Sequence, residues 1–254
     1  MNIIVCAKQV VDVSEMKIDP NTKKPILQGV PQKISDIDKN ALEEALRIRS
    51  EHSDTSITVV TVGSSDAKER IKELLAMGAD GGVLVVPPQK YDYHVVSALL
   101  AEAIKKIGNY DIILCGEASI DLFSGQVGPR LAGLLNIPQI TYAQNVKAGK
   151  EKVVAERNMG EQMVTTESTY PVLITVTKEI NTPRLPSLMQ ILSSANKPIK
   201  ELSADSLGVK LSPAIETVEM KGVPMERKNI VYKDDVNESI KKLVDSLAKE
   251  GVLR

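Results

Sequence analysis

Short β-branched runs alternate with amphipathic helical patterns through the first half of the chain. Residues 2–7 and 57–62 are apolar runs of strand length bounded by polar residues or glycine, the pattern of parallel strands buried on both faces. Between them, residues 38–49 place Ala41, Leu42, Ala45 and Leu46 at helical spacing, with Asp36 or Asp38 available as a cap. The alternation continues as helix 66–77, strand 82–86, helix 93–107, strand 111–115 and helix 126–135. Such repetition predicts an α/β fold: a doubly wound, mostly parallel, Rossmann-like sheet joined by right-handed crossovers. After residue 136 the segments 137–142, 152–158, 162–166 and 172–176 are strand-like with no helix between them, which predicts added antiparallel strands. From 181 to about 233 the prolines Pro183, Pro186, Pro198, Pro213 and Pro224 interrupt short apolar segments, so this stretch reads as an arm. A last helix carries one apolar stripe, Ile240, Leu243, Val244 and Leu247, to be buried on a partner chain or on the same subunit. The expected division is an adenine-nucleotide-binding domain over 1–185 and a recognition segment with arm over 186–254.

Several function classes drop out on composition. No apolar run among the 254 residues approaches the roughly 18 needed to cross a bilayer, so no membrane insertion is expected. Thirty-two basic against 33 acidic side chains give a net charge of −1, too even to recruit nucleic acid. The N-terminus enters a strand at once without a basic leader, and a cytoplasmic location is expected. Two cysteines and two histidines cannot assemble a zinc cluster, and no metal site is expected. Cys6 and Cys115 end apolar runs and read as small buried hydrophobes, while His52 and His94 read as structural.

The most informative stretch follows the strand ending at Cys115: Gly116-Glu-Ala-Ser-Ile-Asp-Leu-Phe-Ser-Gly-Gln-Val-Gly-Pro129. Its glycines, its hydroxyls Ser119 and Ser124, and a helix beginning near Gln126 supply close backbone approach, N–H donors and a positive helix terminus, as phosphate binding requires. The alternative is a loop whose glycines only make turns. Position favours a site, because ligands of open α/β sheets collect at the carboxyl ends of strands. Cys6, Ala7 and Lys8 follow the first strand, Val62 and Gly63 follow the second, and residues 35–38 lead into the first helix, all facing one nucleotide-sized crevice. No general base is paired with a nucleophile, so no catalytic residue is assigned and the sequence argues for binding more than for bond-making.

The chain resembles the beta subunits of electron transfer flavoproteins nearly end to end. Val5-Cys-Ala-Lys-Gln-Val10, Asp38-Lys-Asn-Ala-Leu-Glu-Glu-Ala45 and Leu75-Ala-Met-Gly-Ala-Asp80 carry the likeness. So do the 116–129 loop, with Ile120-Asp121 and Gln126-x-Gly128, and the segment Asn181-Thr-Pro-Arg-Leu-Pro-Ser-Leu-Met-Gln-Ile-Leu-Ser-Ser-Ala-Asn-Lys-Pro198. The resemblance implies a heterodimer with an alpha subunit, FAD shared with that subunit, and AMP or a second FAD in this one. It implies nucleotide contacts at Cys6, Ala7, Ser35, Asp36, Ile37, Asp38 and Val62. From the loop it adds Gly116, Ala118, Ser119, Asp121, Leu122, Ser124, Gly125, Gln126, Val127 and Gly128. It also implies transient docking of flavin dehydrogenases on Leu188, with Arg184, Pro186, Met189 and Ile191 around it. Gly125-Gln-Val-Gly128 stands where single-flavin members have Asn-Gln-Thr-Gly, a wording closer to the branch linked to nitrogen fixation, carnitine reduction and electron bifurcation. The subunit would act as an electron carrier. The rival from another class is a free-standing ATP- or AMP-binding protein of universal-stress type, and the arm argues against it. A NAD-dependent dehydrogenase would need a glycine fingerprint after Val5, where this chain has Cys6-Ala-Lys-Gln-Val10.

Overall fold

The computed structural model describes residues 1–222 and 228–253; Pro224, counted above among the prolines of the arm, lies outside them. Strand β1 (Asn2–Cys6) is followed by the short strands β2 (Gln9–Val11), β3 (Lys17–Ile18), β4 (Pro25–Ile26) and β5 (Gln32–Ile34). Helix α1 (Asp36–Glu51), β6 (Ser56–Val62), α2 (Ala67–Met77), β7 (Gly81–Val86), α3 (Tyr93–Ile107), β8 (Ile112–Gly116) and α4 (Val127–Leu135) complete the alternating half. Then come β9 (Gln139–Ala148), β10 (Lys152–Asn158), β11 (Met163–Thr169), β12 (Val172–Val176), α5 (Leu188–Ser194), β13 (Ile199–Ser203) and α6 (Val236–Lys249).

Nine strands form one sheet in the order β11-β10-β9-β12-β8-β1-β6-β7-β13. From β9 to β13 every neighbouring pair in that order is parallel, and β10 and β11 add antiparallel pairings at one edge. The pleat sorts the core into two layers: Ile3, Val5, Ile57, Val59, Ile112 and Leu114 pack towards α1 and α2, and Ile4, Cys6, Val60, Ile113 and Cys115 towards α3 and α4. Burying each of these Ile or Leu side chains is worth about 2 kcal/mol relative to exposure. Local signals set the helix ends. Asp92 accepts from the Val95 N–H at the start of α3, Gly78 ends α2 at φ +139, and Asn136 closes α4 in the left-handed conformation.

The second half departs from the sequence expectation in three ways. First, β12 is parallel to both β8 and β9, so only β10 and β11 are antiparallel additions. Second, β9 is bent at Tyr142, whose φ is +58, where bulges interrupt the pairings with β12 and with β10. Beyond the bend, Val146, Val153 and Ala155 join the core on the α1 side, and His52 Nε2 lies 2.8 Å from the Ala148 carbonyl oxygen. Third, Ile199–Ser203 is the outermost parallel strand, paired to β7, so the sheet reaches past the boundary expected at residue 185. The chain arrives there through Lys197, whose ammonium donates to the Leu75 and Ala79 carbonyls at 2.9 and 2.7 Å and closes the C-terminus of α2. No described side chain of α6 is buried, and Ile240, Leu243 and Val244 stand exposed along its length. No helix among the described residues is long and apolar enough to cross a membrane.

Candidate functional site

The chain moves outward from β1 through β6 and β7, then returns to the other side of β1 as β8. That reversal parts the connections leaving β1 and β8 and opens a crevice at the carboxyl ends of the two strands. A recess of ≈ 350 Å³ occupies it, near the lower end of the roughly 300–1,000 Å³ usual for small-molecule sites.

Of the residues expected to touch a nucleotide, Cys6, Ala7, Asp38, Val62, Gly116, Ala118, Ser119, Leu122, Ser124, Gly125, Gln126, Val127 and Gly128 line this recess. Ser35, Asp36, Ile37 and Asp121 are not part of its lining. Ser35 is fully buried with its hydroxyl 3.4 Å from the Ile120 N–H, and Asp36 is occupied by Lys33. Ile37 sits under Gly116 in the core, and Asp121 pairs with Lys8 at 2.8 Å. The expected contact list lacks Gln9, Gln32, Ser64 and the Tyr91–Tyr93 turn, which come from connections with no motif of their own. Asp92 shows the one usable signal, an acidic cap before a helical pattern.

Two glycines make the cradle possible. Gly125 has φ +61, a conformation L side chains rarely adopt. Gly128 lies in the first turn of α4, where a Cβ would come within 2.7 Å of Thr175 Cγ2 and 3.2 Å of Cys115 Sγ. The helix therefore starts directly on β8 and β12, with its N-terminal N–H groups at the recess. Opposite, Lys8 is the only Lys or Arg in the lining among the described residues, and its ammonium is held by both Asp121 carboxylate oxygens and the Ser119 hydroxyl. Burial raises the Asp121 carboxyl, but Lys8 and Ser119 outweigh it and leave the group below its usual range.

Asp38 fastens the two strand ends together: its carboxylate accepts from the Lys8 N–H at 2.8 Å and the Gly116 N–H at 3.1 Å. Burial dominates its titration and raises it from 3.8 to about 7, against the lowering effect of both N–H groups and of Lys8. A carboxyl whose folded value exceeds its unfolded one holds its proton more tightly in the native state. This group therefore makes the nucleotide-free chain less stable as pH rises from about 4 to about 7, by on the order of 4 kcal/mol in total. The ¹³C resonance of the Asp38 carboxyl, assigned by its loss in Asp38→Asn, is expected to titrate near pH 7; a midpoint near 4 would refute this account.

Neither thiol is poised to react. Burial, then the Asp38 charge, pushes Cys6 up to about 12, and burial pushes Cys115 well above the ordinary thiol value. One wall is aliphatic, from Val60, Val62, Val96 and Leu100, and Tyr93 lies under the Arg130 guanidinium at 5.1 Å. An anionic group at the α4 terminus, a flat apolar body along these side chains and one balancing cation describe a nucleotide, and the lining fits one.

Away from the recess, the residues expected to meet a partner divide. Leu188 is 71% exposed, and Met189 and Ile191 are also exposed on α5, which begins with a capping box between Ser187 and Gln190. Pro186 is half-buried beside it. Arg184 is half exposed and tied to α1, its guanidinium paired with both Glu43 carboxylate oxygens at 2.8 Å.

Residues 25–207 match the model of the electron transfer flavoprotein domain family. The chain is 39% identical to the electron transfer flavoprotein subunit beta of Thermoanaerobacterium thermosaccharolyticum, with 100% of both chains covered. It is 36% identical to the subunit of the same name from Megasphaera elsdenii over 99% of this chain and 98% of that one. It is 39% identical to the caffeyl-CoA reductase-Etf complex subunit CarD of Acetobacterium woodii over 84% of this chain and 81% of that subunit.

Proposed function

The chain belongs to the electron transfer flavoproteins, among their beta subunits, and from that premise we propose that it pairs with an alpha subunit and holds AMP or a second FAD in the recess between β1 and β8. The observation that carries the reading is the α4 terminus seated on the sheet at Gly128 beside the turn at Gly125. The N–H groups of Gly125, Gln126 and Val127 would hold a phosphate, and Lys8 would balance its charge. Val62, Val96 and Leu100 would cover the organic body and exclude water. A bound FAD supplies hydride and one-electron chemistry, whereas a bound AMP supplies none and stabilises the native state by mass action. The work of this chain is to bind, orient and keep dry, since it offers no base paired with a nucleophile.

In this reading the subunit shuttles electrons between dehydrogenases and an acceptor in the cytoplasm, and residues 186–254, β13 apart, form the recognition segment and arm. Gly125-Gln-Val-Gly128 favours the second FAD and hence a bifurcating carrier. The universal-stress alternative is disfavoured by relatives that match the arm as well as the sheet. Denaturing the purified heterodimer and counting the released nucleotides tests the assignment: two FAD indicate a bifurcation-competent site, one FAD with one AMP a single-flavin carrier, and ATP or no nucleotide defeats it.

Leu188 is proposed as the anchor for flavin dehydrogenases, because small transient interfaces depend on one or two desolvated side chains. Leu188→Ala is expected to slow electron delivery about tenfold with nucleotide content unchanged, a loss of roughly 1.4 kcal/mol; stopped-flow traces identical to wild type would exclude the anchor role.

A further inference from the structure

The carboxyl ends of β8 and β12 carry a second recess, which shares only Glu117 with the first and is completed by Tyr142, Gln144, Asn158, Thr177 and Glu179. Its floor is the Thr177 side chain, 4% exposed, whose hydroxyl has no hydrogen-bond partner within the chain. Leaving such a group unmatched costs about 1–3 kcal/mol, so it calls for a donor or acceptor from elsewhere. Two carboxylates face the same space, and neither Glu117 nor Glu179 has an ion-pair partner among the described residues. Burial and then the Glu179 charge raise Glu117. The recess lies at the bend of β9, where Tyr142 is held at φ +58 between two bulges, a backbone arrangement that re-aims side chains and collects at functional sites.

We propose that this recess receives an arginine side chain of the partner subunit. The inference rests on the beta-subunit reading above. Two carboxylates, one buried hydroxyl and the Gln144 amide oxygen offer more acceptor lone pairs than an ammonium can satisfy, and they suit the five donors of a guanidinium, while the Asn158 amide oxygen already accepts from the Gly160 N–H at 2.8 Å. Tyr142 adds an aromatic wall on which a guanidinium stacks. A bare metal ion suits the site less well, because no group of three or more His, Cys, Asp or Glu able to hold one occurs among the described residues. The surroundings match the centre of a protein interface: Tyr142, Met159 and Met163 are exposed apolar side chains, and Met163 pairs in register with Asn158.

The test measures the affinity of the heterodimer for three variants, with nucleotide content and circular dichroism as controls on folding. Glu179→Gln is expected to weaken assembly roughly 30-fold, as for one member of a desolvated charge pair, and Glu179→Lys by at least as much. Glu151→Lys places the same charge change on the exposed β9–β10 turn, at the far end of β10 from Asn158, and is expected to alter it less than about twofold. Nucleotide content stays at the wild-type level in all three, since neither position lines the first recess. A Glu179→Lys subunit that binds as tightly as wild type, or one no weaker than Glu151→Lys, overturns the proposal while leaving the heterodimer reading intact. A wild-type chain that binds no alpha subunit overturns both.

Discussion

Gly128→Val is expected to strip the nucleotide from the purified protein. The valine Cβ would stand 2.7 Å from Thr175 Cγ2 and 3.2 Å from Cys115 Sγ, both in strands of the central sheet that cannot retreat. The first turn of α4 must lift instead, which moves its N–H groups away from the recess they serve. Overpacking of this kind costs about 2–3 kcal/mol, a fall of roughly 5–10 °C in melting temperature for a chain of this size. Gly133, in the same helix, has no atom within 4 Å of its Cβ position, so Gly133→Ala should stabilise the protein by about 0.5–1 kcal/mol and retain the nucleotide. Nucleotide released per chain, read with the thermal midpoint, separates the two. Retention by Gly128→Val would show that the seating of α4 is not what holds the phosphate.

The second large effect is expected from Arg184→Met. Glu43 is buried in α1, its side chain 8% exposed, and accepts from the Arg184 Nε and Nη2 at 2.8 Å together with the Arg184 backbone N–H at 3.1 Å. Removing the guanidinium leaves a desolvated carboxylate with one donor, a change that costs about 3–5 kcal/mol when both partners are buried. Arg184 is itself half exposed, so a loss of about 2–3 kcal/mol is expected. Glu43→Gln combined with Arg184→Met should recover most of it, because no charge is then stranded. Urea midpoints for the two single variants and the pair measure this coupling, and additive losses would disprove it. The change also loosens the segment before α5, so proteolysis near the fully exposed Leu185 should quicken alongside.

Arg184 shows where sequence reasoning runs out. Its place beside Leu188 in a partner-recognition phrase marks it for an outside surface, yet the carboxylate that takes it is 141 positions earlier, and no local pattern signals that distance. The strands β1, β6, β7 and β8 are legible because their β-branched runs are buried on both faces, and α3 keeps its expected bounds because Asp92 and Gly108 frame it. The strands of two or three residues between β1 and α1 are too short to display a period. β13 buries only Leu202, so it shows no run among the prolines. The bend at Tyr142 is hidden because a tyrosine, rather than a glycine, takes the positive φ. In the recess, the 116–128 loop announces itself through glycines before a helix, whereas Gln32, Ser64 and Tyr91 arrive from three other connections and become neighbours only when the sheet forms.

One carboxylate at the rim serves two masters. Asp92 caps α3 through the Val95 N–H, and its other oxygen accepts from the backbone of Ala214 and Ile215, the arm's attachment beside the recess. Loosening the arm therefore withdraws two donors from a wall of the recess. Thermodynamic reciprocity then links the arm to any ligand of the recess: by whatever factor arm displacement changes the affinity for that ligand, its occupancy changes the ease of displacement. In the proposed reading, ligand loading and arm displacement are thus joined through this one carboxylate and are not independent of each other.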